Sequence, residues 1–241
     1  MHSSTLRVVV DYRGQQIFIV HPDAELREQL VRSLRHGEYE TFGLNSTGDT
    51  NIDKRRDSIF FLWTRDDEGW NWRNFAAGVK DHGNGHVLVA LGSADRPKGF
   101  EAAYDGNPAD LRKSVEGFLD QIGAKGHRHF VRFGNHYASI ATFGFQHDGR
   151  RYAGVVHDIS VVGISCTFKP EPDHVGHMTV DDMQLNLPGF RAVIPGRFTI
   201  TRFVAGHPVH VFLFDDNLGE DFKDSIYDFI YASLEMKLFI R

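Results

Sequence analysis

Residues 137–168 read YASIATFGFQHDGRRYAGVVHDISVVGISCTF, and this stretch decides the C-terminal architecture. Two runs with period-two alternation, Tyr137–Phe145 and Arg151–Ile159, flank the pair Asp148-Gly149. Asp-Gly accepts positive φ at both positions of a two-residue loop, which makes it a strong hairpin signal. A third run, Ile164–Phe168, follows directly. Beyond it the alternation recurs at Met178–Leu187, Arg197–Val204 and Val209–Phe214, with Gly or Pro between the runs. Five or six short strands joined in this way predict a small antiparallel barrel or sandwich. A final helix from about Leu218 carries Phe222, Ile226, Phe229, Ile230 and Leu234 on one face and closes the unit.

Upstream, the texture is different. Apolar runs at residues 16–20 (QIFIV), Tyr39–Leu44, Ser58–Trp63 (SIFFLW) and Gly85–Leu91 are separated by helical patterns. His21-Pro22-Asp23 reads as a turn and helix N-cap, and Leu26, Leu30, Val31 and Leu34 follow at helical spacing. Trp70–Val79 fits a second helix. Leu111, Val115, Phe118, Leu119 and Ile122 mark a third, ended by Gly123 and Gly126. Strands alternating with helices predict an α/β sandwich with a mostly parallel sheet. The expected division is therefore an α/β domain over 1–124 and an antiparallel β-barrel domain over 125–241.

Composition narrows the functional classes. The 241 residues include 27 Lys+Arg, 32 Asp+Glu and 14 His, for a net charge of −5. That balance disfavours wrapping a nucleic acid polymer or coating an anionic membrane. A hydrophobic fraction of 41% supports folded cores, and the 20 Phe are read as core packing. The single Cys166 excludes an internal disulfide framework and, with no signal peptide seen, predicts a cytoplasmic protein. No apolar run approaches the roughly 20 residues that span a bilayer, so no membrane insertion is expected.

One segment stands out by charge. Between Asp120 and Asp148 there is no acid, and Lys125, His127, Arg128, His129 and Arg132 lie inside that gap. Arg128 and Arg132 form R-x-x-x-R, and Asp158, Ser160 and Gly163 form D-x-S-x-x-G. Each motif alone is weak; the Asp-Gly hairpin joins them. Folding back about His147–Gly149 brings Asp158 opposite Ala138, Ser160 opposite His136 and Gly163 opposite Phe133. The arginines then share one end of the sheet with the Asp-Ser-Gly segment, and Asp158 and Ser160 share a face. Guanidinium groups grip phosphates bidentately, stack on flat rings and fit the O6/N7 edge of guanine. Asp158 can accept from the ring N–H and amino group of guanine, and Gly163 allows close backbone approach.

These residues carry a resemblance. Residues ~126–236, with RHFVR, the hairpin, HDISVVGISCTF, Leu187-Pro188-Gly189 and the closing HVFLFDDNLGEDFKDSIYDFI, resemble a PilZ domain, the bacterial receptor module for cyclic di-GMP. The resemblance implies Arg128, Arg132, Asp158, Ser160 and Gly163 as ligand-binding residues, with cyclic di-GMP as ligand and no cofactor. It implies second-messenger signalling of the kind that regulates motility or biofilm. The N-terminal order of elements resembles a response-regulator receiver, without its chemistry. SIFFLW ends in Trp63-Thr64 where a phosphoacceptor Asp belongs. Val20, His21 and Pro22 replace the acidic pair, and Asn107-Pro108 replaces Lys-Pro. Ser93 alone matches the switch hydroxyl, while Asp66 and Asp67 lie beyond the strand end. This domain is expected to bind a protein partner without phosphotransfer.

Enzyme readings are weaker. His174-x-x-His177 and His207-x-x-His210 place their members on opposite strand faces, so neither pair converges on one metal. Cys166 lies within the apolar strand GISCTF, where a structural thiol is expected. The expected protein is thus a non-enzymatic effector that transmits the cyclic di-GMP signal by ordering its interdomain segment. The competing reading is a PilZ-fold scaffold that binds protein and no nucleotide.

Overall fold

A computed structural model describes residues 15–44, 57–66, 70–81, 85–125, 130–134, 141–173 and 175–239. The chain divides into two compact units, residues 1–129 and 130–241. The first contains β1 (Ile17–Val20), α1 (Ala24–His36), β2 (Thr41–Leu44), β3 (Ile59–Trp63), α2 (Trp72–Asp81), β4 (Val87–Leu91), β5 (Ala102–Tyr104) and α3 (Pro108–Gln121). The second contains β6 (Phe133–Gly134), β7 (Thr142–His147), β8 (Arg150–Ser160), β9 (Gly163–Phe168), β10 (Thr179–Leu187), β11 (Phe190–Val204), β12 (His207–Phe214) and α4 (Glu220–Phe239).

The first sheet runs β2-β1-β3-β4-β5 with every pairing parallel. A parallel sheet covered on both faces needs unbroken apolar strands, and IFIV, IFFL and VLVAL are all buried. Ile17, Ile19, Phe61 and Val89 pack with Leu30 and Leu34 of α1 and with Val115 and Leu119 of α3. On the opposite face Phe18 stacks on Phe42 and Phe60, and Phe60 meets Phe75 of α2 edge-on at 5.7 Å. Two of these helices are capped by side chains, the first as expected. Asp23 accepts from the backbone N–H groups of Glu25 and Leu26, and Asn107 from those of Ala109 and Asp110 ahead of Pro108. No helix links β4 to β5; residues 92–101 make that connection as turns and bends.

The second unit is a closed six-stranded antiparallel barrel, ordered β8-β7-β10-β11-β12-β9 and sealed by β9 pairing back to β8. The short β6 adds to β8. Asp148 and Gly149 both have positive φ, the geometry that made their hairpin legible. Phe143, Phe145, Phe168, Phe198 and Phe212 fill the interior as a chain of ring contacts. Helix α4 packs against β6 and β8, burying Ile226, Ile230 and Tyr231. The fold class expected from the sequence, a parallel α/β sandwich followed by an antiparallel barrel with a closing helix, is the one observed.

Candidate ligand site

The motif residues separate into two groups. Arg132 and Asp158 meet: β6 pairs Gly134 with Asp158 and Phe133 with Ile159, which sets Arg132 Nη1 3.9 Å from Asp158 Oδ1. Their side chains remain 38% and 27% exposed, so this is a loose ion pair with donor and acceptor still open to solvent. Ser160 is the other case. It shares a face with Asp158, yet it is only 3% exposed, and its hydroxyl donates to the carbonyl of Gly163 at 3.4 Å. Gly163 pairs with Ser160 on one side and Leu213 on the other, against the backbone of β12. Arg128 lies outside the described residues, as do His127 and His129.

The register differs from the expected one. Thr142 pairs with Val155 and His147 with Arg150, one residue from the expectation for the hairpin itself. At the arginine end the offset reaches four: Phe133 faces Ile159 rather than Gly163. The expectation treated Phe133 to His147 as one continuous strand. β6 and β7 are separate strands, each with its own register on β8. The partners expected for Asp158 and Ser160, Ala138 and His136, fall outside the described residues.

Asp158 also lines a cleft of about 910 Å³ on the barrel, the upper part of the range usual for small-molecule sites. A bulge in β8, between the pairs Val156–Cys166 and Asp158–Ser165, explains how His157 and Asp158 both reach it although they are neighbours in sequence. His157 is tied to Thr167 at 3.1 Å. Glu171, also in the lining, hydrogen-bonds His210 at 2.7 Å, and His210 bonds Thr201 at 2.9 Å. Period-two patterns locate strands but not bulges or pairings between distant strands. The contributions of His157, Lys169, Glu171 and Arg202 to this cleft were therefore missed.

The histidine and cysteine readings can be placed as well. His210 is buried and His207 exposed, as alternation requires of residues three apart. His177 is exposed, and His174 lies outside the described residues. Among the described residues no group of three or more His, Cys, Asp or Glu could hold a metal ion. Cys166 is fully buried, and burial above all pushes its thiol well up, with Glu171 and Asp158 adding to the effect.

In the first unit, the crevice at the strand C-termini where the order reverses, between β1 and β3, is where such sheets bind ligands. Here protein side chains crowd it. The rings of His21 and Trp63 lie 4.3 Å apart, and Trp63 accepts through its carbonyl from the Trp70 indole N–H. Arg65 pairs with Asp105 at 2.7 Å and donates to the Gly92 carbonyl. The Ser93 hydroxyl donates to the Asp95 carbonyl. Asp66 is held by both guanidinium nitrogens of Arg73, whose hydrogen bonds keep its carboxyl below the usual range. Asp67 lies outside the described residues. Incubation with a small phosphodonor and Mg²⁺ should therefore leave the intact mass unchanged; one added phosphate on Asp66 or Asp67 would sink this expectation.

No family model matches the chain, and no curated protein matches it. Solved structures similar to parts of it fall into two kinds. YcgR in complex with c-di-GMP from Escherichia coli aligns over 47% of this chain and 48% of its own, with 13% identity and TM-score 0.39. The MrkH–c-di-GMP complex of K. pneumonia aligns over 46% and 54%, with 18% identity and TM-score 0.37. The chain thus spans about half the length of either protein. A CheY-like response regulator receiver domain protein from Methanospirillum hungatei JF-1 aligns over 45% of this chain and 96% of its own, with 16% identity and TM-score 0.37. Among the described residues no helix is long and apolar enough to cross a membrane.

Proposed function

We propose that residues 125–241 bind cyclic di-GMP and that the chain is a non-catalytic effector of that messenger. One observation carries this reading: Arg132 and Asp158, twenty-six positions apart, meet at the edge of a cleft and are not locked together. A guanidinium and a carboxylate in that relation offer a phosphate or the guanine O6/N7 edge its donors, and the guanine N1 and N2 groups their acceptor. Arg128 is the second arginine of the clamp, four residues before Arg132 and next to Gly123 and Gly126. Calorimetry of the full chain with cyclic di-GMP, with GTP and cyclic di-AMP as controls, should show heat for the first ligand only. No heat and no thermal shift at high cyclic di-GMP would hand the protein to the scaffold reading. That alternative has its own support, since Ser160 and Gly163 serve packing of the barrel.

In this reading the signal passes through the segment that joins the two regions. A phosphodiester held by Arg128 and Arg132 orders residues 123–134, and a protein partner of residues 1–124 responds. Gly123 already has φ +65°, a conformation other residues rarely adopt, so the chain turns there readily. Hydrogen exchange should show amides of 123–134 gaining protection with ligand while the strand cores barely change. Equal protection in both states would remove the switch and leave the binding proposal standing.

A further inference from the structure

A cyclic dinucleotide carries two bases and two phosphates, and the Arg132–Asp158 edge addresses one set. The opposite side of the cleft is formed by the end of the β11–β12 hairpin. Strand β10 pairs with β11 only as far as Arg197, and β9 pairs with β12 only from His210 onward. Residues 202–204 and 207–209 therefore pair only with each other, as a two-stranded arm leaving the barrel. Its turn, Ala205-Gly206, has positive φ at both positions, which holds the arm's register. Pro208 lacks the N–H that would extend the β9 pairing, in keeping with its place on a free edge.

Alternation along the arm gives it two different faces. Arg202 and Val204 of β11, with His207 and Val209 of β12, line the cleft. Phe203 points the other way and is 74% exposed. The charges of the cleft are unevenly satisfied. Glu171 is bonded to His210 and Asp158 faces Arg132, whereas the side chains of Lys169 and Arg202 have no hydrogen-bond or ion-pair partner among the described residues. Two unneutralised cations beside apolar Val155, Val204 and Val209 suit a ligand that is anionic and flat.

Resting on the cyclic di-GMP reading above, we infer that the β11–β12 arm is the second wall of that site, and that Arg202 holds the half of the ligand that Arg132 and Asp158 do not reach. The guanidinium of Arg202 can fork onto a phosphodiester or lie over a purine, roles a lysine fills only as a point charge. The valines of the arm cover the base.

Calorimetry of the full chain with cyclic di-GMP tests this through Arg202→Ala, Arg202→Lys and Arg197→Ala, the last an exposed arginine of the same strand outside the cleft lining. Arg202→Ala should bind about tenfold more weakly. Arg202→Lys should fall in between, and Arg197→Ala should match wild type. All should melt as wild type does, because the Arg202 side chain is exposed and has no hydrogen-bond or ion-pair partner among the described residues. With wild type, the amides of 202–204, His207 and Val209 should gain hydrogen-exchange protection on adding ligand. If wild type binds, Arg132→Ala weakens binding and Arg202→Ala does not, the arm is no part of the site and this inference alone fails. Equal losses for Arg197→Ala and Arg202→Ala would reduce the effect to general charge and overturn it too. No binding by wild type overturns the cyclic di-GMP reading, and this inference with it.

Discussion

Replacing Arg132 with alanine should weaken cyclic di-GMP binding about ten- to a hundredfold and leave the melting temperature where it was. The two halves of that expectation have separate causes. A charge-assisted contact to a phosphate or guanine edge contributes about 1.5–3 kcal/mol, and its loss is read directly as affinity. The ion pair with Asp158 is long, at 3.9 Å, and both side chains stay partly in water. Pairs of that kind contribute about 0–1 kcal/mol to folding. Asp158→Ala should also weaken binding, and it should narrow the preference for guanine over adenine because the acceptor for the guanine N–H groups is gone. The double variant should lose less than the sum of the single losses if both groups grip the same base. Wild-type affinity in Arg132→Ala would move the site away from this edge.

The sequence made some elements easy to read because the physics that forms them is local. IFIV, IFFLW and VLVAL are unbroken apolar runs since both faces of their sheet are covered. Asp23 announces its helix because capping involves groups only two or three residues away. Asp148-Gly149 announces its hairpin because the turn needs two positive φ angles. Strand β11 was harder: it runs unbroken from Phe190 to Val204, through Pro195 and Gly196. Those two residues normally end a strand, so the alternation became legible only from Arg197. A methyl group on Gly196 would lie 2.2 Å from the Leu213 carbonyl oxygen, so close approach of β12 accounts for the glycine. That requirement comes from a strand distant in sequence, and no local pattern carries it.

The same distinction runs through the candidate site. Which residues belong to the two motifs could be read from their letters; what each one touches could not. The bulge that turns both His157 and Asp158 toward the cleft arises from pairing with β9. The cleft itself gathers residues from β8, β9, β11 and β12, spread between Val155 and Val209. Arg132 reaches Asp158 only because β6 adds to the barrel four residues out of the expected register.

Gly163→Ala should destabilise the C-terminal unit by about 1–3 kcal/mol, lowering its melting temperature by about 5–15 °C. A Cβ at this position would stand 2.3 Å from the Phe212 carbonyl oxygen, 3.3 Å from its carbonyl carbon and 3.2 Å from the Leu213 Cα. All three are backbone atoms, so no rotamer change relieves the contact. The strands themselves must separate, at the place where β9 joins β12 to complete the barrel. Gly144→Ala is the matched comparison. Its Cβ would meet nothing closer than the Tyr152 carbonyl oxygen at 3.5 Å, an ordinary contact, so stability should hold or rise slightly. Thermal melts of the two variants beside cyclic di-GMP titrations separate the roles open to Gly163. A glycine needed for barrel closure predicts a lower melting temperature with or without ligand, and weaker binding only as far as the barrel loosens. A glycine needed for ligand approach predicts unchanged stability and lost binding. The clash with β12 favours the first outcome, and it puts the last residue of D-x-S-x-x-G in the framework that holds Asp158 at the cleft.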